Sequence, residues 1–399
     1  MRSPPRQVLP VIVLAQFAGT SLWFAGNAVV RDLQTAYGLP AATLGPLTSA
    51  VQLGFIVGTL VFAALRIADR FSPARVFFAS ALLGAVCNAT IGVVATEMPM
   101  IMAARFLTGL FLAGIYPVGM KIAADWFDSD LGYALGWLVG ALVLGTAFPH
   151  LLRFLAVGVP WQLVLQGASV LAALGGAVLY ATIPDGPYRA RGRAFRPSAV
   201  VEVFRAADFR AAALGYFGHM WELYAFWAFV PVLLAGRFPG ADDRVLSLGA
   251  FAVIAAGALG CVAGGYAALR RGSGRVAAGM LAVSGAACLA SPLLFHASAP
   301  VFVAAVAVWG VAVVGDSPQF STLVARTAPA EVRGSALTIV NSLGFAITVP
   351  AIEVLNRLAV AWPDDRIFVV LAVGPILGLV ALRRHVALGP PTASSLRGP

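Results

Sequence analysis

Leu14-Ala15-Gln16-Phe17 returns as Leu214-Gly215-Tyr216-Phe217, and this echo decides how the chain is read. Arg70 and Arg75-Val76 return as Arg270 and Arg275-Val276. Gly114-Ile115-Tyr116-Pro117 returns as Gly315-Asp316-Ser317-Pro318, and Gly132-Tyr133-Ala134-Leu135 as Gly334-Ser335-Ala336-Leu337. The offset drifts only from 200 to 202. Matches this short carry weight only together. A constant offset along the whole chain describes two related halves of one architecture.

Hydrophobic residues make up 60% of the 399-residue chain and charged ones 11%, against about 45–50% and about 25% in soluble domains. Such a surface is solvated by lipid, where backbone groups are bonded within helices or a closed barrel. The apolar runs are about 20 residues long rather than alternating strands of about ten, so helices are expected. The expected fold is an all-α membrane protein with twelve transmembrane helices in two pseudo-symmetric six-helix halves. Spans are read at 8–30, 43–66, 75–96, 98–125, 131–153, 159–183, 209–235, 245–269, 276–295, 300–326, 334–357 and 366–386. The halves are 1–183 and 209–388, joined by a basic cytoplasmic linker at 184–208 and followed by a disordered tail at 389–399. A duplicated bundle of this kind places its site between the halves.

With the N-terminus inside, the cytoplasmic segments hold 19 arginines and the outer ones six, a positive-inside pattern that puts both termini in the cytoplasm and the chain in the inner membrane. The net charge of +10 is then a topology signal rather than a nucleic-acid footprint. Cys87, Cys261 and Cys288 lie inside spans without metal spacing. His219 and Met220 are adjacent on a helix and point about 100° apart, so they do not share an ion. There is no phosphate-binding loop, nucleophile elbow or metal-binding helix pair. No metal, cofactor or enzymatic activity is expected. Gly132, Gly136, Gly140 and Gly145 repeat at helix spacing, a pattern that lets helices approach closely in lipid.

The loop after the second span, Asp69-Arg70-Phe71-Ser72-Pro73-Ala74-Arg75, resembles the signature loop of the major facilitator superfamily, with Leu65 and Ser72 where that family usually has glycine. The second copy, Arg270-Arg271-Gly272-Ser273-Gly274-Arg275, keeps the arginines without the Asp. Arg105 and Gly109 match the family's Arg and Gly in the fourth span. The fifth span lacks the compact Gly-Pro ending of the antiporter signature. Lys121 to Phe127 is also loosely similar to the nitrate and cyanate permease branch. The resemblance implies that Asp69 faces the start of the eleventh span, that Arg70 pairs with Asp125, and that these groups, with Arg75, gate the inner side. It also implies that the first, fourth, seventh and tenth spans line the cavity.

Charge inside a membrane marks function, because each ionised group costs at least about 2.5–3.5 kcal/mol at a helix centre. Glu222 and Asp316 are read near the middle of the seventh and tenth spans, both facing the cavity, with His219 one turn before Glu222. Each acid is either a proton-coupling group or a permanent partner of a neighbour. Arg105 is read as an anion-binding or relay group, or as a partner of nearby backbone. Lys121, the sole lysine, is read as a substrate contact, or as a snorkelling residue. Gln16, Trp23, Phe24, Asn27, Tyr216, Tyr224, Phe226, Gln319 and Asn341 are candidate cavity-lining residues.

The function expected is secondary active transport of a small polar or amphiphilic solute by alternating access, coupled to protons as in a symporter. The alternatives are a facilitated uniporter and a non-transporting sensor with the same fold. A monomer in the bilayer is expected, with solute and protons as its small-molecule partners.

Overall fold

The computed structural model describes residues 5–127, 131–156, 158–189, 203–329 and 332–387. Nine helices among them are long and apolar enough to cross a bilayer. Three shorter apolar helices, Val8–Thr20, Pro73–Ala89 and Ile367–Arg383, stand at the first, third and twelfth places. The first half holds Val8–Thr20 continued by Ala25–Ala28, then Leu44–Ala64, Pro73–Ala89, Met98–Leu112 with Tyr116–Trp126, Leu131–Leu155 and Gln162–Thr182. The second half holds Ala207–Arg237, Asp243–Arg271, Ser273–His296, Ala299–Gly315 with Ser317–Thr327, Arg333–Ala361, and the turn Ile367–Ala372 leading into Val373–Ala387. These are spans one to twelve below. Of the expected linker, residues 190–202 lie outside the described residues, as does the expected tail at 389–399.

Three of the expected spans are interrupted. The first stops at Thr20, where the hydroxyls of Thr20 and Ser21 bond back to the carbonyls of Gln16 and Ala18 at 2.8 and 2.7 Å. Such back-bonding competes with the helical ladder and bends it. The fourth breaks at Ala113–Ile115 and the tenth at Asp316. In each, proline is the second residue of the new helix, Pro117 or Pro318, where a missing N–H costs nothing. The two breaks stand at the same place in the internal repeat, so the duplication is structural as well as sequential.

Close helix contact also repeats. A Cβ built on Gly109 would lie 2.0 Å from the Val51 carbonyl oxygen, and one on Gly310 would lie 2.2 Å from that of Val253. Only glycine permits this approach of the fourth span to the second, and of the tenth to the eighth. The expected glycine seam of the fifth span is different. Gly145 meets Thr20 and the Phe17 carbonyl, but Gly132, Gly136 and Gly140 would meet nothing within 4 Å. These three face open space.

The end carrying residue 5 and the loop at 65–72 is here the terminal end, and that carrying 29–43 the far end. Halves touch at the far end. Asn356 Oδ1 accepts from the Gly45 N–H at 3.1 Å, its Nδ2 donates to the Ala42 carbonyl at 2.8 Å, and Ser49 donates to Glu353 at 2.7 Å. Among the described residues, every hydrogen bond between the halves lies on this side.

Gly109→Ala should abolish a monodisperse peak in detergent size-exclusion chromatography, because backbone opposes the new methyl. Gly136→Ala should run like the parent. Equal behaviour of the two variants would refute the packing account.

Candidate functional site

The repeat shows which polar contacts the fold requires. In the first half, Gly19 packs on Ile115, whose Cγ2 would lie 2.6 Å from a Cβ built on the glycine. The corresponding residues of the second half are His219 and Asp316, and His219 Nδ1 lies 2.8 Å from Asp316 Oδ1. A glycine–isoleucine contact has become a histidine–carboxylate contact at the break of the tenth span. Both side chains are buried, at 1% and 0% exposure. The contact is close but poorly aligned, so neither Asp316 oxygen receives a well-directed donor, and His219 Nε2 has none either. Asp316 does not cap Ser317–Thr327 with its side chain, which removes one structural role open to it in the sequence. Tyr216 and Phe320 flank the His219 ring at 6.0 and 5.5 Å.

Glu222 behaves differently. Its counterpart is Leu22, whose Cδ1 would lie 3.2 Å from a Cβ on Gly84 of the third span. Glu222 points the same way, at Ser284 of the ninth span, whose hydroxyl donates to Oε2 at 2.8 Å. Trp309 Nε1 donates to Oε1 at 2.7 Å, and the Cys288 thiol reaches the same oxygen at 3.2 Å. These three donors belong to the ninth and tenth spans, so Glu222 faces the interior of its own half rather than the space between halves. Phe226 goes with it, its ring tilted against Trp309 at 4.4 Å. Both depart from the expected cavity face, because a three-residue step from His219 leaves Glu222 about 60° off its direction, far enough to change its neighbours.

Arg105 is fully buried beside the break of the first span. Its guanidinium donates to the carbonyl of Leu22 at 3.0 Å and to that of Trp23, and reaches Asn88 Oδ1 at 3.5 Å. It thus serves orphaned carbonyls left by the interrupted helix. Lys121 pairs with Asp69 at 3.1 Å and lies 3.8 Å from Asp125, while Arg66 approaches Asp69 at 3.7 Å. Asp125 therefore has Lys121 as its partner, not Arg70. Arg70 and Arg75 are exposed, and among the described residues neither makes an ion pair. The chain after the sixth span covers this cluster. Tyr188 donates its N–H to the Asp125 carbonyl at 3.0 Å, and Ser72 donates to Asp185 at 2.7 Å.

Midway along the bundle, aromatic rings from both halves meet. Trp23 stacks on Phe345 at 5.6 Å and lies 5.7 Å from Tyr224, and Phe55 lies 4.5 Å from Phe345. Phe24 lies 6.3 Å from Trp227. Trp23 Nε1 donates to Gln52 at 3.0 Å, which fixes the indole. On the terminal side of these rings, the Tyr216 hydroxyl bonds Asn341 at 2.5 Å. Gln16 is fully buried with both amide atoms unpartnered, its oxygen 2.1 Å from a Cβ built on Gly119, and Gln319 is 4% exposed. Asn27 donates to Thr48 at 2.8 Å nearer the far end.

At the far end, Arg31 pairs with Asp243 across the halves, and Arg153 pairs with Asp32 at 2.8 Å. Burial raises the Asp32 carboxyl above its usual range, against the opposing pull of Arg153. Arg244 donates to the Phe154 carbonyl at 3.3 Å and lies over its ring at 5.7 Å. None of these groups was singled out in the sequence, nor was Glu353. The acid in the eleventh span was detectable by the same rule that found Glu222. Arg31, Asp32 and Asp243 lie in ordinary loop chemistry and gave no signal.

Residues 11–351 match the family model described as Major Facilitator Superfamily. A niacin transporter of Acinetobacter baylyi is 26% identical over 173 residues, 37% of this chain and 39% of that protein. A chloramphenicol resistance protein of Streptomyces lividans is 32% identical over 143 residues, 36% and 35% of the two chains. A nitrate/nitrite transporter of Nostoc punctiforme is 27% identical over 168 residues, 39% and 33%. The chain thus spans little more than a third of the curated relatives it matches. Among solved structures, a bacterial homolog of the human lysosomal transporter Spinster, inward-facing and occupied, superposes with a TM-score of 0.75 at 14% identity, over 94% and 95% of the two chains. An Escherichia coli fucose:proton symporter superposes with a TM-score of 0.66 at 14% identity, over 94% and 98%. At such identity these structures speak for the fold.

Arg105→Ala should lower the melting temperature by several degrees, since each hydrogen bond from a charged donor contributes about 1.5–3 kcal/mol. Solute binding per folded molecule should be unchanged. A variant that melts like the parent but binds no solute would move Arg105 into the binding site.

Proposed function

The chain belongs to the Major Facilitator Superfamily, and we propose that it moves a small polar or amphiphilic solute across the cytoplasmic membrane by alternating access, driven by protons carried on the His219–Asp316 pair. Membrane transport itself follows from the family and from relatives that are transporters. The observation that supports proton coupling is the replacement of a Gly19–Ile115 contact by a His219–Asp316 contact at an equivalent place. A bundle that folds with glycine and isoleucine there does not need a titratable pair for packing. In a dry interior, the pair is neutral overall when it holds one exchangeable proton, either as imidazolium with carboxylate or as imidazole with carboxylic acid. Gaining or losing a proton leaves a net charge that low dielectric penalises. Exchange is therefore confined to moments when water or solute reaches the pair, and that confinement is what ties proton movement to the transport cycle.

The far-end contacts and the terminal-end separation support an arrangement open toward the cytoplasm, given termini placed inside by the arginine distribution. The aromatic rings between Trp23 and Phe345 separate the two sides. Asp69, Lys121 and Asp125 form the gate's resting ion cluster within the first half, from which Asp69 is released to meet the eleventh span when the terminal end closes. With Arg105 held by backbone and Lys121 held by two carboxylates, neither is free to bind an anion in this state. Neutral or cationic solutes fit better than nitrate. Glu222, with its three donors, is a structural acid of the second half.

The test is uptake into proteoliposomes with an imposed pH difference, across a panel that includes nicotinate, chloramphenicol and nitrate. The parent should accumulate at least one solute above equilibrium. Asp316→Asn should exchange that solute between the two sides yet fail to concentrate it. Glu222→Gln should retain coupling while losing about 1–3 kcal/mol of stability, because an amide N–H then faces a donor. Full accumulation by Asp316→Asn would end the coupling proposal. Downhill movement alone in the parent would favour a uniporter, and solute binding without movement would favour a sensor.

A further inference from the structure

We propose that His150 is a second proton-binding site of the transport cycle, set in the far-end mouth between the halves, and that its protonation opens that mouth. A cavity there is lined from the first half by Asn27, Arg31, Asp32, His150 and Arg153, and from the second by Asp243 and Ser247. His150 is 1% exposed and its Nε2 has no hydrogen-bond partner, and Asn27 Oδ1, 3% exposed by residue, is likewise unpartnered. The repeat offers the same comparison as before. At its offset of 202 the counterpart of His150 is Ile352, fully buried and apolar. The bundle does not need an imidazole at that place.

The charges that line the cavity are balanced, and Arg244, outside the lining, is turned to the Phe154 carbonyl and ring. The short helix Val30–Tyr37 contributes Arg31 and Asp32, the fifth span contributes Arg153, and the eighth contributes Asp243. The first, second and seventh spans present Asn27, Leu44, Ala228, Pro231 and Val232, none of which titrates. Arg31 pairs with Asp243 and Arg153 with Asp32, so the four charges sum to zero. A neutral imidazole fits that mouth. An imidazolium adds one positive charge near two guanidinium groups, with no carboxylate left over, at a buried position below the half-exposed Arg31–Asp243 pair. The penalty for an unmatched charge is large there and small once water enters. Protonation therefore favours the state in which the Arg31–Asp243 pair has separated. That pair is the far-end ion pair between halves, beside the Asn356, Ser49–Glu353 and Arg244–Phe154 contacts, so its separation loosens the mouth. His150 differs from the His219–Asp316 pair in half and in depth, so the two sites can face opposite solutions in one cycle.

This inference rests on the alternating-access reading, and the test separates the two. In a background with Cys87, Cys261 and Cys288 replaced, Val232→Cys reports access to the mouth in nanodiscs. Its maleimide labelling rate is normalised at each pH to that of exposed Val245→Cys. Acidification from about pH 7.5 to about pH 5.5, which spans the ordinary histidine range, should raise the normalised rate about fivefold. In His150→Gln and His150→Asn the rate should not change with pH. Arg31→Ala combined with Asp243→Ala should raise it at both pH values. An acid response that persists in both His150 variants, or that is missing from the parent background, would overturn the proposal for His150. A double variant that stays closed at both pH values would overturn the role given to the Arg31–Asp243 pair, whereas labelling that stays fixed in every variant at every pH would count against the alternating-access reading on which the proposal rests.

Discussion

Lipid offers no hydrogen bonds, so every polar or ionised group inside the bundle must be answered by protein. That constraint explains more of this structure than apolar packing does. Arg105 is the clearest case. The first span is interrupted, carbonyls are left without helical partners, and a buried guanidinium reaches them from the fourth span. The Lys121 cluster obeys the same rule at the terminal end, and Glu222 obeys it with three donors. Groups that do not obey it stand out. His219 and Asp316 touch without good alignment, and His150 and Gln16 keep unpartnered atoms.

The internal duplication turns these observations into a comparison under nearly constant backbone. Gly109 against Val51 and Gly310 against Val253 show that helix contacts persist when residue identity changes little. Leu22 against Gly84 and Glu222 against Ser284 show a direction preserved while the chemistry changed. Gly19 against Ile115 and His219 against Asp316 show an apolar contact replaced by a titratable one. Packing demands are shared by both halves, so a group that only one half carries and that the fold leaves without well-directed partners, as with His219 and Asp316, is best explained by what the protein does.

The fold was legible because its signals are long: twelve apolar runs, an offset held near 200 and a distribution of arginines. Helix breaks were legible only where proline and glycine marked them, as at Gly315 and Pro318. The break after Thr20 has Gly19 but no proline, and depends on hydroxyl back-bonding together with Arg105, which is a tertiary effect. Asp316 and Glu222 were found because intramembrane acids are rare, but where each one points was not readable. His219 and Glu222 are one turn apart and were assigned one face, yet they reach different spans. Lys121 was visible as the sole lysine, and its partners were not, since pairing across a loop and a helix end depends on how the second, third and fourth spans come together. The far-end ion pairs were hidden among loop charges of ordinary kind.

The central claim is that the two halves exchange which end is closed. Paired spin labels test it most directly, one pair at Ala36 and Val245 across the far end and another at Phe71 and Arg326 across the terminal end. Distance distributions from electron–electron resonance, measured over a range of pH with and without a transported solute, should move in opposite directions. When the far-end distance lengthens, the terminal-end distance should shorten. Distributions that stay fixed at both ends, or that widen together, would contradict the account.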